Sequence, residues 1–181
     1  MTRDLHARSA KEFFFVVSKI AGPKLIITEN WCAPNDNFQK LNVDGSWRSL
    51  DRKAFGGGVF RNSNGNWITG FTVAFGNSTT LGAEIRTIFE RIKFVKRASN
   101  ENIIIESDCK EVLETIGGRL PPPKDLHHLV QAIRSELLTE QVIVLQHAMR
   151  ETNQVAKSFP QIDHLRTHMM EQEENQIYQV E

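Results

Sequence analysis

The chain is poor in cysteine. Cys32 and Cys109 are the only two, too few for a disulfide framework and without the spacing of a zinc site. That absence points to a reducing compartment, nucleus or cytoplasm. Long apolar runs are missing as well: nothing approaches the roughly 20 residues needed to span a bilayer, so no membrane partner is expected. Phe13-Phe14-Phe15-Val16-Val17 is apolar but short. It is flanked by Lys11, Glu12 and Lys19 and has no cleavage site, so it does not read as a secretory signal. Net charge is absent too, since 22 Lys and Arg balance 22 Asp and Glu. Neutrality argues against a strongly electrostatic nucleic-acid binder, whose affinity comes from neutralising many phosphates. No internal repeat is visible. A chain of 181 residues that is 40% hydrophobic is expected to form one domain with a core of its own.

What charge there is lies unevenly. Arg86, Arg91, Lys93, Lys96 and Arg97 form a basic segment, and Glu171, Glu173, Glu174 and Glu181 an acidic tail. A local basic surface can coexist with overall neutrality.

The hydrophobic pattern gives the order of elements. Residues 7–20 could form a helix, stopped by Gly22-Pro23, and 31–38 read as a loop. Leu41 and Val43 alternate with polar neighbours, so a strand ends at Asp44-Gly45. Residues 54–60 form a second strand, in which Gly56-Gly57-Gly58 suggests a bulge or a close backbone approach. Asn64-Gly65 is a two-residue hairpin signal. A third strand, 67–75, has Trp67, Thr69, Phe71, Val73 and Phe75 on one face. Thr79 or Thr80 then caps a helix whose stripe is Ile85, Ile88, Phe89, Ile92 and Val95. Residues 102–106 are a buried parallel-type strand. Ser107-Asp108 starts a helix containing Val112, Leu113 and Ile116, which ends at Gly117-Gly118. Pro121-Pro122-Pro123 is a stiff connector. A helix over 126–138, a strand over 142–145 and a last helix from Glu151, cut short by Pro160, complete the order β-β-β-α-β-α-α-β-α. This order implies a mixed sheet flanked by helices.

Three acidic residues stand at telling places. Asp44 ends one strand, Glu84 borders the buried stripe of the first long helix, and Asp108 follows the run Ile103-Ile104-Ile105. Carboxylates at the ends of neighbouring strands, joined by one from a packed helix, can converge, and converging carboxylates repel unless a cation neutralises them. Ligation by oxygen alone suits Mg²⁺ or Mn²⁺, and the chemistry such a site favours is metal-assisted phosphodiester hydrolysis. Each residue also has a plainer reading: a turn Asp, a first-turn Glu on a helix dipole and an N-capping Asp. His127, His128 and His147 lack partners at ligand spacing and read as surface or packing residues. Cys109 reads as structural.

Taken in order, Lys40-Leu41-Asn42-Val43-Asp44-Gly45-Ser46, the hairpin Arg61-Asn62-Ser63-Asn64-Gly65-Asn66-Trp67, Ala83-Glu84, Glu106-Ser107-Asp108 and Arg150-Glu151-Thr152-Asn153-Gln154-Val155-Ala156 resemble the plant ribonuclease H-like domain associated with non-LTR retroelement reverse transcriptases. The resemblance covers about 31–159 and sets a domain at 31–163, leaving 1–30 as a leader or linker and 164–181 as the tail. It implies a ribonuclease H-like mixed five-stranded sheet, three antiparallel strands then parallel ones. It also implies hydrolysis of the RNA strand of an RNA/DNA hybrid, with Asp44, Glu84 and Asp108 as catalytic ligands of Mg²⁺ or Mn²⁺ and no small-molecule cofactor. Asn42, Ser46, Arg86 and Asn153 are expected to approach the nucleic acid, although Asn153 could instead cap a helix. The family's fourth acidic ligand is replaced here by Lys157, and the mobile His of bacterial members aligns loosely with Arg150. A catalytically inactive, domesticated module that binds nucleic acid or protein is the alternative reading.

Overall fold

The computed structural model describes residues 13–16, 27–28, 31–98, 101–156 and 158. Lys157, the helix stop at Pro160 and the acidic tail lie outside them. Strands β3 (Phe38–Trp47), β4 (Lys53–Arg61) and β5 (Trp67–Asn77) form an antiparallel meander. Helix α1 (Thr80–Ala98) crosses to β6 (Asn102–Ser107), which pairs parallel with β3. Helices α2 (Lys110–Ile116) and α3 (His127–Leu137), linked through a 3₁₀ turn at Lys124–Leu126, lead to β7 (Ile143–Ala148), parallel to β6. The five strands lie in the order β7-β6-β3-β4-β5. This is the expected mixed sheet, antiparallel then parallel.

The sheet extends further than the sequence pattern suggested. Two short strands upstream, β1 (Phe13–Val16) and β2 (Ile27–Thr28), both pair with β7, the first antiparallel and the second parallel. The helix expected over 7–20 is therefore interrupted by strand at its centre. A run of Phe and Val favours a pleated surface over a helix, and the outer edge of β7 offers a row of backbone groups to pair with.

Leu41 and Val43 of β3, Ile103 and Ile105 of β6 and Leu145 of β7 share one face of the sheet. They pack with Ile85, Ile88 and Ile92 of α1, Leu113 of α2 and Ile133 of α3 into one core. Burial of this size is the main source of stability. Close approach explains Gly56: a Cβ there would lie 2.1 Å from Thr87 Oγ1 of α1. A register shift between Ala54 and Phe55 supplies the bulge.

The β4–β5 hairpin is longer than two residues. Gly65 N–H donates to Asn62 O (2.9 Å) and Asn62 N–H to Asn66 O (3.0 Å), enclosing three loop residues with Gly65 at φ +79. The Asn62 side chain decides this, because its Oδ1 accepts from the N–H groups of Asn64 and Asn66 and so folds the chain one residue earlier than Asn64-Gly65 alone would.

Candidate metal centre

Asp44 is not at the end of its strand. β3 continues to Trp47 against β4, but its parallel pairing with β6 stops at Val43↔Ser107. Asp108 is the first residue after β6, so Asp44 and Asp108 stand one step past the last paired residues of adjacent strands. Val43 lies in the core, so alternation turns Asp44 to the other face of the sheet. The expectation that Asp108 starts a helix is corrected: α2 begins at Lys110 behind an N-cap at Cys109. The Ser107 hydroxyl accepts the Cys109 N–H (3.1 Å) and shapes the connection that carries Asp108.

Glu84 comes from the first turns of α1. The Thr79 hydroxyl accepts the Gly82 N–H at 3.0 Å and so caps that helix. Gly45 lets the helix sit directly on β3: a Cβ there would lie 2.5 Å from Glu84 N and 2.7 Å from its Cα. The Gly45 N–H in turn donates to the Glu84 carboxylate.

The result is a cluster. One carboxylate oxygen each from Asp44, Glu84 and Asp108 lies within 4.8 Å of the others. Asp44 and Glu84 are only 6% and 5% exposed, and Glu84 Oε2 is buried without a hydrogen-bond partner among the described residues. Burial first, then the charges of Asp44 and Asp108, pushes the Glu84 carboxyl well above its ordinary value of 4.5. An all-oxygen donor set with an orphaned buried oxygen fits a hard divalent cation such as Mg²⁺ or Mn²⁺. Arg150 stands at the edge, its Nε 3.8 Å from Asp108 Oδ2 and its side chain largely in solvent. Burial, then the Glu84 charge, pushes the Cys109 thiol up to about 12.

The other residues singled out in the sequence fare differently. Asn153 is buried, and among the described residues its side chain makes no capping bond: its Nδ2 donates across to Val43 O (2.9 Å), tying the last described turn to β3 just before Asp44. Asn42 also faces inward. Its Nδ2 donates to Glu106 Oε2 (2.6 Å), and its Oδ1 accepts from Trp31 Nε1 (3.0 Å) and Arg61 Nη1 (2.8 Å). Its amide is thus buried and engaged within the domain. Ser46 is half-buried at the rim. Arg86 donates to Phe75 O, Arg91 stacks on Phe71 at 4.0 Å, and Lys93 and Lys96 pair with Glu90 and Glu136. Most of the basic face of α1 is thus engaged within the domain. His127 and His128 are exposed, and His147 Nε2 is 3.3 Å from Asp108 O.

Sequence reading missed Glu106 and Lys40. Glu106 Oε1 pairs with Lys40 Nζ at 2.7 Å, and both are buried. The available signal was a Glu closing an apolar run, with Lys40 two positions before Asn42 on the neighbouring strand.

The fold is ribonuclease H-like. Ribonuclease H1 of the archaeon Halobacterium salinarum NRC-1 superposes with a TM-score of 0.62 at 19% identity, over 67% of this chain and 93% of that one. A ribonuclease H1 from compost, LC11, solved in complex with an RNA/DNA hybrid, gives 0.60 at 17% identity, over 67% and 92%. The prototype foamy virus protease–reverse transcriptase gives 0.58 at 17% identity, over 77% of this chain and 22% of that one. Residues 42–161 match the family described as Reverse transcriptase-like, and the chain belongs to it. A protein of Arabidopsis thaliana provisionally named a ribonuclease H protein is 24% identical over 141 residues, which is 78% of this chain. The chain spans about a quarter of that relative's length (23%).

Proposed function

We propose that this domain cleaves the RNA strand of RNA/DNA hybrids, with Asp44, Glu84 and Asp108 as the catalytic ligands of Mg²⁺ or Mn²⁺. The observation that carries this reading is the convergence of three carboxylate oxygens within 4.8 Å around the unpartnered Glu84 Oε2. A bound divalent cation would supply an activated water and neutralise charge developing on the phosphate. The chain's own residues hold the site in shape. Gly45 anchors the Glu84 carboxylate through its N–H, Asn153 tethers β3 behind Asp44, and Arg150 offers a solvent-exposed cation at the rim. Selectivity for RNA would come from reading a wide minor groove and its 2′-hydroxyls by shape, with Ser46 at the rim and Arg86 on the basic helix as candidate contacts. The LC11 enzyme's complex with a hybrid supports this class of partner. The Arabidopsis relative and the family support an origin in a plant retroelement reverse transcriptase, acting in the nucleus or cytoplasm.

One feature favours a second reading. Lys157 stands in the sequence where the resemblance places a fourth acid. A module that keeps the fold and binds nucleic acid or protein without cleaving would tolerate it. A labelled hybrid incubated with the protein in Mg²⁺ or Mn²⁺ separates the two. Cleavage by the wild type that Asp44→Asn abolishes supports the nuclease, and cleavage gained only in Lys157→Asp marks a lapsed one. No cleavage by either refutes the nuclease and leaves the binding module, which a hybrid titration without metal then tests.

A further inference from the structure

Resting on the metal-centre reading above, we infer that Glu106 is a positioning residue that sets where Asp108 falls relative to Asp44. β3 and β6 contribute one carboxylate each, so their register decides whether those carboxylates meet. The apolar run of β6 is Ile103-Ile104-Ile105, with Ile103 and Ile105 in the core. Apolar residues on both faces discriminate poorly between registers, since a slip of two residues puts one Ile where another was. Such a slip moves Asp108 by roughly 6.6 Å along the strand, at about 3.3 Å per residue. That distance exceeds the 4.8 Å within which the three oxygens lie.

Glu106 removes the ambiguity. It sits directly across from Asn42 in the parallel ladder, with Asp44 two residues after Asn42 and Asp108 two residues after Glu106. One oxygen accepts from Asn42 Nδ2 (2.6 Å) and the other from Lys40 Nζ (2.7 Å), so a single carboxylate is gripped by two residues of β3. Both bonds can form together only in the observed register. Asn42 is held in turn by Trp31 and Arg61, and Lys40 Nζ also donates to Cys32 O (2.7 Å). The clamp is therefore fixed from its far side. Buried ion pairs contribute little to stability compared with apolar residues of the same size, and their best-attested use is to specify register. Glu106 is not itself a spare metal ligand, because both of its oxygens are occupied and Lys40 neutralises its charge.

Glu106→Gln presents an amide where Asn42 Nδ2 needs an acceptor and so breaks one arm. Asn42→Asp combined with Glu106→Gln restores that arm with donor and acceptor exchanged, and leaves Lys40 Nζ donating to the remaining oxygen, at unchanged net charge. Mn²⁺ affinity of the full chain is measured by titration calorimetry, with the thermal midpoint recorded beside it. Mn²⁺ should bind about tenfold more weakly to Glu106→Gln, the scale of losses from groups that orient ligands, and within about twofold of wild type to the double variant. A folded Glu106→Gln that binds Mn²⁺ like wild type overturns the inference, whatever happens to the midpoint. Should the single variant not fold, the double variant carries the test: wild-type affinity supports the inference, and weak affinity or failure to fold overturns it. Wild-type protein that binds no Mn²⁺ is a separate outcome, which removes the metal-centre reading and this inference with it.

Discussion

Replacing Glu84 by Gln should make the metal-free protein more stable while abolishing its response to metal. Two unit charges about 4.8 Å apart repel by roughly 3.5 kcal/mol at an effective dielectric near 20, and the Glu84 carboxylate faces two such neighbours from a buried position. Folding therefore favours its protonated form. Between the ordinary value of 4.5 and the raised value in the folded protein, the native state holds a proton that the unfolded chain has released. Across that window wild-type stability falls as pH rises, by about 1.4 kcal/mol per pH unit for this group. The amide carries no such proton, so the gap between variant and wild type should widen steadily from pH 5 upward. Urea unfolding in EDTA at half-unit pH steps measures it, and a chain of this size shifts its melting point by about 2–4 °C per kcal/mol. Adding Mn²⁺ to about 100 times its dissociation constant should then stabilise the wild type by about 2.7 kcal/mol and the variant hardly at all. Parallel pH profiles for the two proteins, or equal stabilisation by Mn²⁺, would refute the reasoning.

Two further outcomes follow from the same geometry. Gly45→Ala should destabilise the fold by about 3 kcal/mol, at the upper end for overpacking, because the added Cβ meets the backbone of α1 at 2.5 Å and no side chain can yield; a loss under 0.5 kcal/mol in urea unfolding contradicts this. At pH 8 a thiol-alkylating reagent should modify exposed Cys32 and spare Cys109, whose thiol burial and the nearby Glu84 charge push up to about 12. Peptide mass mapping reads the ratio, and equal labelling of native protein is the contrary result.

The core helices and the five central strands were legible because their signals are local. Ile85, Ile88 and Ile92 repeat at helical spacing, and β3 and β6 announce themselves by alternation and by β-branched residues. Less legible were features in which one side chain overrides a local rule. Asn62 lengthens the hairpin, the Ser107–Cys109 turn delays α2, and the outer edge of β7 pairs with a Phe-rich segment that periodicity alone took for helix. Asn42 and Asn153 were expected near the nucleic acid because the family resemblance places such residues there, with a helix cap as the other reading of Asn153. Both are buried and bond within the scaffold, and a motif match carries no information about which way an amide points.

The sequence alone determined which chemistry is available: three acids at strand and helix boundaries, no thiol cluster and no charge excess. It did so because residue type and period are properties of short segments. Only the tertiary structure decided that the acids meet. Convergence of Asp44, Glu84 and Asp108 depends on the register of β3 against β6 and on how near α1 comes to Gly45. Those distances are set between segments far apart in the chain, through close packing and a buried clamp that no local pattern encodes.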